Sequence, residues 1–288
     1  MQADKAILDR WSGAALFWEK HREMIRRMFA PVTQALVEDG LISRGQVVLD
    51  VATGPGDPAL SVADLVGPEG QVVGIDAVPE MVAAARRETD RLGLRNAQFE
   101  VAFADHLPFP AGTFDAVVSR FGVMFFPSPV DAVREMLRVL RPERKLAVAV
   151  WHVAERNPFF DTMARIIERY VDSPPPAPDA PDVYRFATPG KLRDVLVEAG
   201  AMAPSERLLP FNIQAPIRVE DFWTLRCEMS EQLRDKIARL SAGQLIEVKR
   251  QSLEALRYFS TDQGMSFPAE VLLVSGTKSP APRLTAPF

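Results

Sequence analysis

Two patterns of hydrophobic spacing organise this chain of 288 residues. Short apolar runs rich in β-branched and aromatic side chains alternate with stretches in which apolar residues recur every three or four positions. The short runs predict strands at 46–52, 71–77, 97–104, 114–119 and 145–151, and the longer stretches predict helices at 79–93 and 129–140. Strands that alternate with helices at this spacing predict βαβ units and a mostly parallel sheet.

Helical patterns also flank this alternating region. Residues 14–38 predict an amphipathic helix that is interrupted near Pro31, because proline breaks a helix interior. Beyond residue 151 the spacing predicts helices at 158–171, 188–200, 218–229, 231–240 and 243–259, and strands at 205–215 and 268–278. The insertion 217–262 is long for a connection between two strands. We therefore expect it to form a lid over the strand ends or a surface for a second subunit, as in a homodimer.

The composition narrows the class of protein. An apolar content of 47% and a net charge of −4 are ordinary for a globular chain and argue against nucleic acid held by bulk electrostatics. No apolar run approaches the length of a membrane span, and the first ten residues lack a signal-peptide core. The single cysteine, Cys227, excludes an internal disulfide, and the histidines show no metal-ligand spacing. We expect a cytoplasmic protein with no metal, no membrane span and no nucleic-acid partner.

A glycine loop follows the first predicted strand. Residues 54–59 satisfy the dinucleotide pattern G-x-G-x-x-A, and Asp76 stands twenty residues beyond Gly56. In that pattern a pyrophosphate sits on the N-terminus of the next helix. Here Asp57 is the predicted N-cap and Pro58 the first helical residue, so a carboxylate would repel a second anion. S-adenosyl-L-methionine (SAM), which has a sulfonium and no phosphate, fits this loop better than NAD(P) does. An NAD(P)-dependent oxidoreductase remains the alternative.

Four segments resemble the motifs of class I SAM-dependent methyltransferases of the ubiquinone/menaquinone-biosynthesis type. They are 48-VLDVATGPG-56, 73-VGIDAVPEMVAAAR-86, 103-FADHLPFPAGTFDAVVSRFGVMFF-126 and 135-EMLRVLRP-142. The resemblance is strong over residues 41–152 and extends over the whole chain in outline. The sequence departs from the family at Ala52, where many members have their first glycine, and at Glu143-Arg144, where a glycine pair is usual.

The resemblance implies an α/β fold. The expected core is a Rossmann-like, mostly parallel seven-stranded sheet with helices on both faces, an antiparallel last strand and helical lid insertions. We expect one methyltransferase domain over residues 1–288, with a SAM-binding core at 41–152. Other expected segments are an N-terminal helical lid at 1–40 and, in the C-terminal half 153–288, substrate-lid segments at about 155–186 and 217–262.

The resemblance also implies which residues hold the cofactor. Asp76 would accept hydrogen bonds from both ribose hydroxyls, and Asp105 would meet the adenine amino group unless it serves only its turn. Asp50 would act through the methionine ammonium, or by ordering the glycine loop, or both. The other expected cofactor residues are Ala52, Thr53, Gly54, Gly56, Ala77, Met81, Ala104, His106, Ser119 and Arg120.

Methyl transfer from SAM needs alignment and exclusion of water rather than a catalytic triad. Two residues are candidates for catalysis. Arg120 would hold an anionic group of the acceptor or pair with a local carboxylate, and His152 would take an acidic proton or be incidental.

Aromatic residues are the candidates for binding the acceptor, and they are Phe17, Trp18, Phe121, Tyr184 and Trp223. Trp223 and Tyr258 are expected in the roof of the acceptor pocket. These side chains favour a small lipophilic or ring-bearing acceptor, as in secondary metabolism, methylated on carbon or oxygen, although nitrogen stays open. A SAM-binding regulatory protein without catalysis is the second alternative.

Overall fold

The computed structural model describes residues 2–172 and 177–281, apart from the side chains of residues 2–4 and 6. The helices are α1 (Gln2–Lys20), α2 (Arg22–Met28), α3 (Ala30–Asp39), α4 (Ala59–Val66), α5 (Pro79–Leu92), α6 (Pro129–Val139), α7 (Pro158–Ile167), α8 (Lys191–Glu198), α9 (Val219–Met229), α10 (Glu231–Ala238) and α11 (Ala242–Leu256). The strands are β1 (Val47–Val51), β2 (Gln71–Asp76), β3 (Ala97–Val101), β4 (Phe114–Arg120), β5 (Leu140–Trp151), β6 (Met202–Ala215), β7 (Ser260–Thr261) and β8 (Gly264–Thr277).

Seven strands form one continuous sheet in the order β3-β2-β1-β4-β5-β8-β6. The first five of these strands are parallel, and β8 is antiparallel to both β5 and β6. The two-residue β7 pairs with β8 and was not predicted from the pattern. The α/β, mostly parallel sheet with an antiparallel last strand is therefore confirmed.

The hydrophobic runs form central strands because both faces of the sheet are covered. All seven residues of β4 are buried, as are four of the five residues of β1. Strands buried on both faces are typical of parallel sheets flanked by helices. Helix α6 is one of the covering helices. Its apolar residues recur at helical intervals, and those that are buried include Ala132, Val133, Met136 and Leu137.

The N-terminal helical region is interrupted at two places rather than at Pro31. The breaks lie at His21 and Phe29, which separate α1, α2 and α3. Pro31 lies in the first turn of α3. A proline is tolerated there because the first N–H groups of a helix have no intrahelical acceptor. The predicted interruption was therefore placed slightly too late in the chain.

The predicted lid segments pack against one another. Helix α1 contacts α5, α9 and α10, and α11 packs on α7 and α9. Residues 173–176, which belong to the predicted lid at 155–186, lie outside the described residues. In the described part of the chain, no helix combines the length and the apolar character needed to cross a membrane.

Candidate active site

A cavity of about 510 Å³ lies at the carboxyl ends of the parallel strands. Its wall includes Val51 of β1, Asp76 of β2, Arg120 of β4 and Trp151 of β5. Helices α1, α2, α9 and α10 cover it. Ligands of open α/β sheets bind at such strand ends, and the volume is in the range of small-molecule sites. The fold therefore places a ligand-sized site where the glycine loop meets the predicted lid segments.

The glycine loop and the residues after β2 and β3 form one part of the wall. The predicted cofactor residues found there are Ala52, Thr53, Gly54, Asp76, Ala77, Met81, Ala104 and Asp105. Asp76 is held in place by the backbone, since its Oδ2 accepts from Gly54 N at 2.9 Å and its Oδ1 from Val78 N at 3.0 Å. Burial raises the pKa of this carboxyl to about 6.

These donors and acceptors fit SAM. Each oxygen of Asp76 accepts one backbone hydrogen bond, and a carboxylate oxygen has capacity for another from a ribose hydroxyl. Asp105 is exposed on the same wall. Two carboxylates beside the glycine loop suit hydroxyl, amine and cationic groups, and they would repel a pyrophosphate.

The backbone conformation at Ala52 explains why many members of the resembled family have glycine at this position. Ala52 has a φ of 60°, the left-handed region that favours glycine. Gly54 has a φ of 56°, and a Cβ added there would meet no atom within 4 Å. Gly56 is not on the cavity wall, and its Cβ would lie 2.8 Å from Leu60 Cδ1. Gly56 therefore permits the loop to pack against α4 rather than admitting the ligand directly.

The predicted cap of α4 was assigned to the wrong acid. The helix begins at Ala59, and it is Asp50 Oδ2 that accepts from Ala59 N, at 3.1 Å. Asp57 instead accepts from Ser61 Oγ at 2.5 Å and pairs with Arg120. The N-terminus of α4 therefore does have carboxylates beside it, as the argument against a pyrophosphate requires, and Asp50 is the one that accepts from the helix backbone.

Asp50 is completely buried and is not on the cavity wall. Its Oδ1 has no hydrogen-bond partner among the described residues, and burial raises the pKa of its carboxyl to about 7. The contact with Ala59 shows how Asp50 orders the glycine loop. Its interaction with a methionine ammonium stays a prediction.

Arg120 has a local carboxylate as partner. Its Nη1 lies 2.6 Å from Asp57 Oδ2 and donates to Thr33 Oγ1 at 2.7 Å, while Nη2 donates to Asp57 O at 3.0 Å. The side chain still borders the cavity. Of the two roles predicted for it, pairing with a local acid is the one that the geometry provides.

His152 is not brought to the cavity wall. Its Nδ1 lies 2.9 Å from Glu270 Oε2, and the proton-acceptor role predicted for it stays a prediction. Ser119 is also fully buried away from the wall, and His106 is exposed outside it. The catalytic roles predicted for Arg120 and His152 therefore stay predictions.

Aromatic side chains form a second part of the cavity, here called the aromatic wall (Phe29, Phe121, Trp151 and Phe160). Phe121 stacks on Trp151 with ring centroids 4.3 Å apart, and Phe160 meets the Trp151 edge at 4.8 Å. Phe29 lies 5.4 Å from Phe121. Of the predicted acceptor residues, Phe121 and Trp18 line the cavity, whereas Phe17, Tyr184 and Trp223 do not.

The predicted lid segments contribute different side chains to the cavity from those expected. Trp223 is buried in the core, and Tyr258 is 87% exposed, so neither forms the roof. The cavity residues that the sequence did not single out include Ile25, Phe29, Phe160, Arg226 and Met229. Helical spacing marks such residues as buried but does not reveal which of them face a cavity.

Residues 48–143 match the family described as a methyltransferase domain. Among curated relatives, a demethylmenaquinone methyltransferase of Listeria welshimeri is 37% identical over 106 residues, which cover 37% of this chain and 45% of the relative. A ubiquinone/menaquinone biosynthesis C-methyltransferase of Pseudomonas fluorescens is 43% identical over 108 residues, covering 37% of this chain and 42% of the relative. The chain thus spans less than half the length of these relatives.

A solved structure extends the similarity beyond that region. The YcgJ protein of Bacillus has a TM-score of 0.55 and 20% identity, and the match covers 86% of this chain and 98% of that one. At this identity the likeness shows the fold alone. Residues 48–143 are thus similar to a methyltransferase domain and to the corresponding part of quinone-biosynthesis methyltransferases.

Proposed function

We propose that the protein is a SAM-dependent methyltransferase that acts on a small, ring-bearing acceptor. The observation that carries this proposal is the division of one cavity into a carboxylate-bearing glycine-loop part and an aromatic wall. The first part suits the adenosine and amino-acid groups of SAM, and the second suits a flat apolar acceptor. The methyltransferase relatives support the same assignment over the core.

Bound SAM supplies an electrophilic methyl on its sulfonium, which an acceptor nucleophile takes by in-line displacement. The chain's own contribution is positioning. Asp76 and the glycine loop hold the cofactor, and the aromatic wall aligns the acceptor ring while α1 and α9 exclude water. Methylation on carbon, as in the name of the Pseudomonas relative, or on oxygen fits this arrangement.

The two alternatives are disfavoured. A dinucleotide pyrophosphate at the glycine loop would meet the carboxylate of Asp76 on the wall, and the N-terminus of α4 already has a carboxylate partner in Asp50. A regulatory SAM-binding protein would not need an aromatic wall beside the cofactor. The proposed location is the cytoplasm, supported by the single free cysteine.

Calorimetric titration tests the proposal with SAM, S-adenosyl-L-homocysteine (SAH) and NADH. We expect micromolar affinity for the first two ligands and none for NADH. Incubation with labelled SAM and a panel of quinols, phenols and cyclic enols should then give a methylated product and SAH. Absence of binding by SAM and SAH would refute the function, whereas binding without transfer to any acceptor would favour the regulatory alternative.

A further inference from the structure

Arg226 is a buried cation that lacks an anionic partner within the described part of the chain. Its side chain lies on α9, is 6% exposed and borders the cavity. Its Nε has no hydrogen-bond partner, and among the described residues Arg226 forms no ion pair with a carboxylate. The other buried arginine on this wall, Arg120, has its carboxylate in Asp57. Arg226 is thus the cation on the wall whose charge is left to be neutralised by something else.

Two phenyl rings hold the guanidinium in place. Its carbon lies 4.9 Å from the centre of the Phe159 ring and 4.8 Å from that of Phe160. Cation–π contacts stabilise a desolvated arginine and fix the plane of its guanidinium, but they do not use its N–H donors. Phe160 belongs to the aromatic wall, so these donors lie beside the surface proposed for the acceptor ring.

The charge persists at neutral pH despite burial. Burial lowers the pKa of Arg226 to about 10, which leaves the side chain protonated. Isolated buried charges are costly and are rare in proteins unless something compensates them. The carboxylates near this part of the fold have other cations, since Glu231 lies 3.9 Å from Arg10 and Asp161 pairs with Arg165.

Tyr184 adds a neutral donor nearby. Its hydroxyl has no hydrogen-bond partner among the described residues, and its phenol lies within the electrostatic range of Arg226. Burial raises the pKa of this phenol, so it stays protonated at neutral pH. Its neighbour Val183 borders the cavity.

We infer that Arg226 binds an anionic oxygen on the methyl acceptor, so that the acceptor is an aromatic or cyclic acid whose carboxylate, phenolate or enolate pairs with this guanidinium. The inference rests on the proposed function and specifies its substrate class. An arginine with free donors matches a carboxylate or an ionised hydroxyl, and the aromatic wall binds the ring that carries it. Neutral quinols of the same shape would leave the buried cation unpaired.

The test compares 2-naphthoate with its neutral isostere 2-naphthamide, by calorimetry on the SAH-loaded protein. We expect the wild type to bind the acid at least ten times more tightly than the amide. Arg226→Met should abolish this preference, and Arg226→Lys should retain part of it. The matched control is Arg10→Met, which removes a cation at the rim of the same cavity and should leave the preference intact.

Several outcomes would overturn the inference. The first is that the wild type does not bind 2-naphthoate at millimolar concentration, and the second is that it binds the acid and the amide equally. The third is a preference for the acid that survives Arg226→Met or disappears in Arg10→Met. Thermal melting provides a ligand-independent measure. Removal of an unpaired buried charge should leave the melting temperature of Arg226→Met equal or higher, whereas a marked drop would make Arg226 structural. If the wild-type protein does not bind SAH, that result would instead count against the proposed function.

Discussion

Arg120 and Asp57 form a buried ion pair between the end of β4 and the glycine loop. The Nη1–Oδ2 distance is 2.6 Å, and the two side chains are 5% and 6% exposed. The same guanidinium donates to Thr33 Oγ1 on α3. The pair therefore connects the glycine loop, the central strand and the N-terminal helices, which makes it a determinant of the shape of the proposed cofactor site.

Removing one partner of this pair should destabilise the protein strongly. Asp57→Ala leaves Arg120 buried without its carboxylate, and we expect a loss of about 3–5 kcal/mol in the free energy of unfolding. The double variant Asp57→Ala/Arg120→Met should lose less than the sum of the two single variants, because no charge is left unpaired. Urea denaturation at pH 7.5 measures all three.

The exposed pair of Arg134 and Asp131 is the matched control. Its atoms are 2.8 Å apart, but the side chains are 52% and 57% exposed. Asp131→Ala should change the free energy of unfolding by no more than about 1 kcal/mol. Equal effects of the buried and the exposed substitutions would show that the Arg120–Asp57 pair does not organise the loop.

Asp76→Ala should weaken cofactor binding without unfolding the protein. The ribose hydroxyls would lose a charged acceptor, at a cost of about 1–3 kcal/mol in binding free energy. The measurement is the Kd of SAH by calorimetry. Asp90→Ala is the control, because Asp90 is exposed on α5 and should leave the Kd unchanged. An unchanged Kd in a folded Asp76 variant would remove this residue from the site.

Cofactor affinity should also depend on pH through Asp76. Burial raises the pKa of this carboxyl to about 6, and the ionised form is the better acceptor for hydroxyls. Protonation therefore competes with binding, and the Kd of SAH should rise as the pH falls, by about tenfold at pH 5 relative to pH 7.5. Asp76→Asn, which cannot ionise, should have a flatter profile between these values.

A wild-type Kd that stays constant down to pH 5 would contradict this interpretation. Asp50, whose pKa burial raises to about 7, titrates in the same range but is not on the cavity wall. A decline in affinity that persists unchanged in Asp76→Asn would therefore assign the effect to Asp50 and the loop that it orders.

The sequence predicted the fold and the cofactor side of the site better than the acceptor side. The strands and the spacing from Gly54 to Asp76 can be recognised from short stretches of sequence, and Gly54 and Asp76 both line the cavity. The cap predicted at Asp57 was wrong, because the side chain that accepts from the first N–H of α4 is that of Asp50, which is nine residues from Ala59 along the chain and reaches it only through the fold of the loop. Arg226 was missed because a charged residue on a helix is usually solvated.

Ala52→Gly should be neutral or stabilising. A left-handed φ costs a residue with a Cβ about 1–2 kcal/mol, and glycine removes that strain. The greater freedom of glycine in the unfolded chain offsets about 0.4–1 kcal/mol, so we expect a gain between zero and about 1.5 kcal/mol. Gly54→Ala should have the opposite sign because it introduces a Cβ at a φ of 56°.

Urea denaturation of the two variants checks both signs. A loss of more than about 1 kcal/mol for Ala52→Gly would show that the alanine methyl packs too well to be removed. That methyl lies at the end of β1, where a Cβ added to Gly122 would approach it to 2.5 Å. A stabilised Ala52→Gly that retains SAH affinity would show that the strain is not needed for binding.

Glu228 connects the predicted N-terminal and C-terminal lids. Glu228 on α9 accepts from Lys20 Nζ at 2.7 Å and lies 2.5 Å from His21 Nε2. Helices α1 and α9 both border the cavity, so this contact holds two of its covers together. In Glu228→Ala we expect amide hydrogen exchange to increase in α1 and α9 together, while β1 to β4 stay protected.

The effect of ligand binding on hydrogen exchange should also depend on the contact between Glu228 and the end of α1. In the wild type, SAH with 2-naphthoate should slow exchange in the core and in the insertion 217–262, because a closed lid opens less often. In Glu228→Ala the core should still respond, but the lids should respond less. Glu254→Ala, which removes an exposed acid on α11, is the control. Protection confined to residues 41–126 in the wild type would mean that the insertion serves assembly with a second copy rather than closure over substrate.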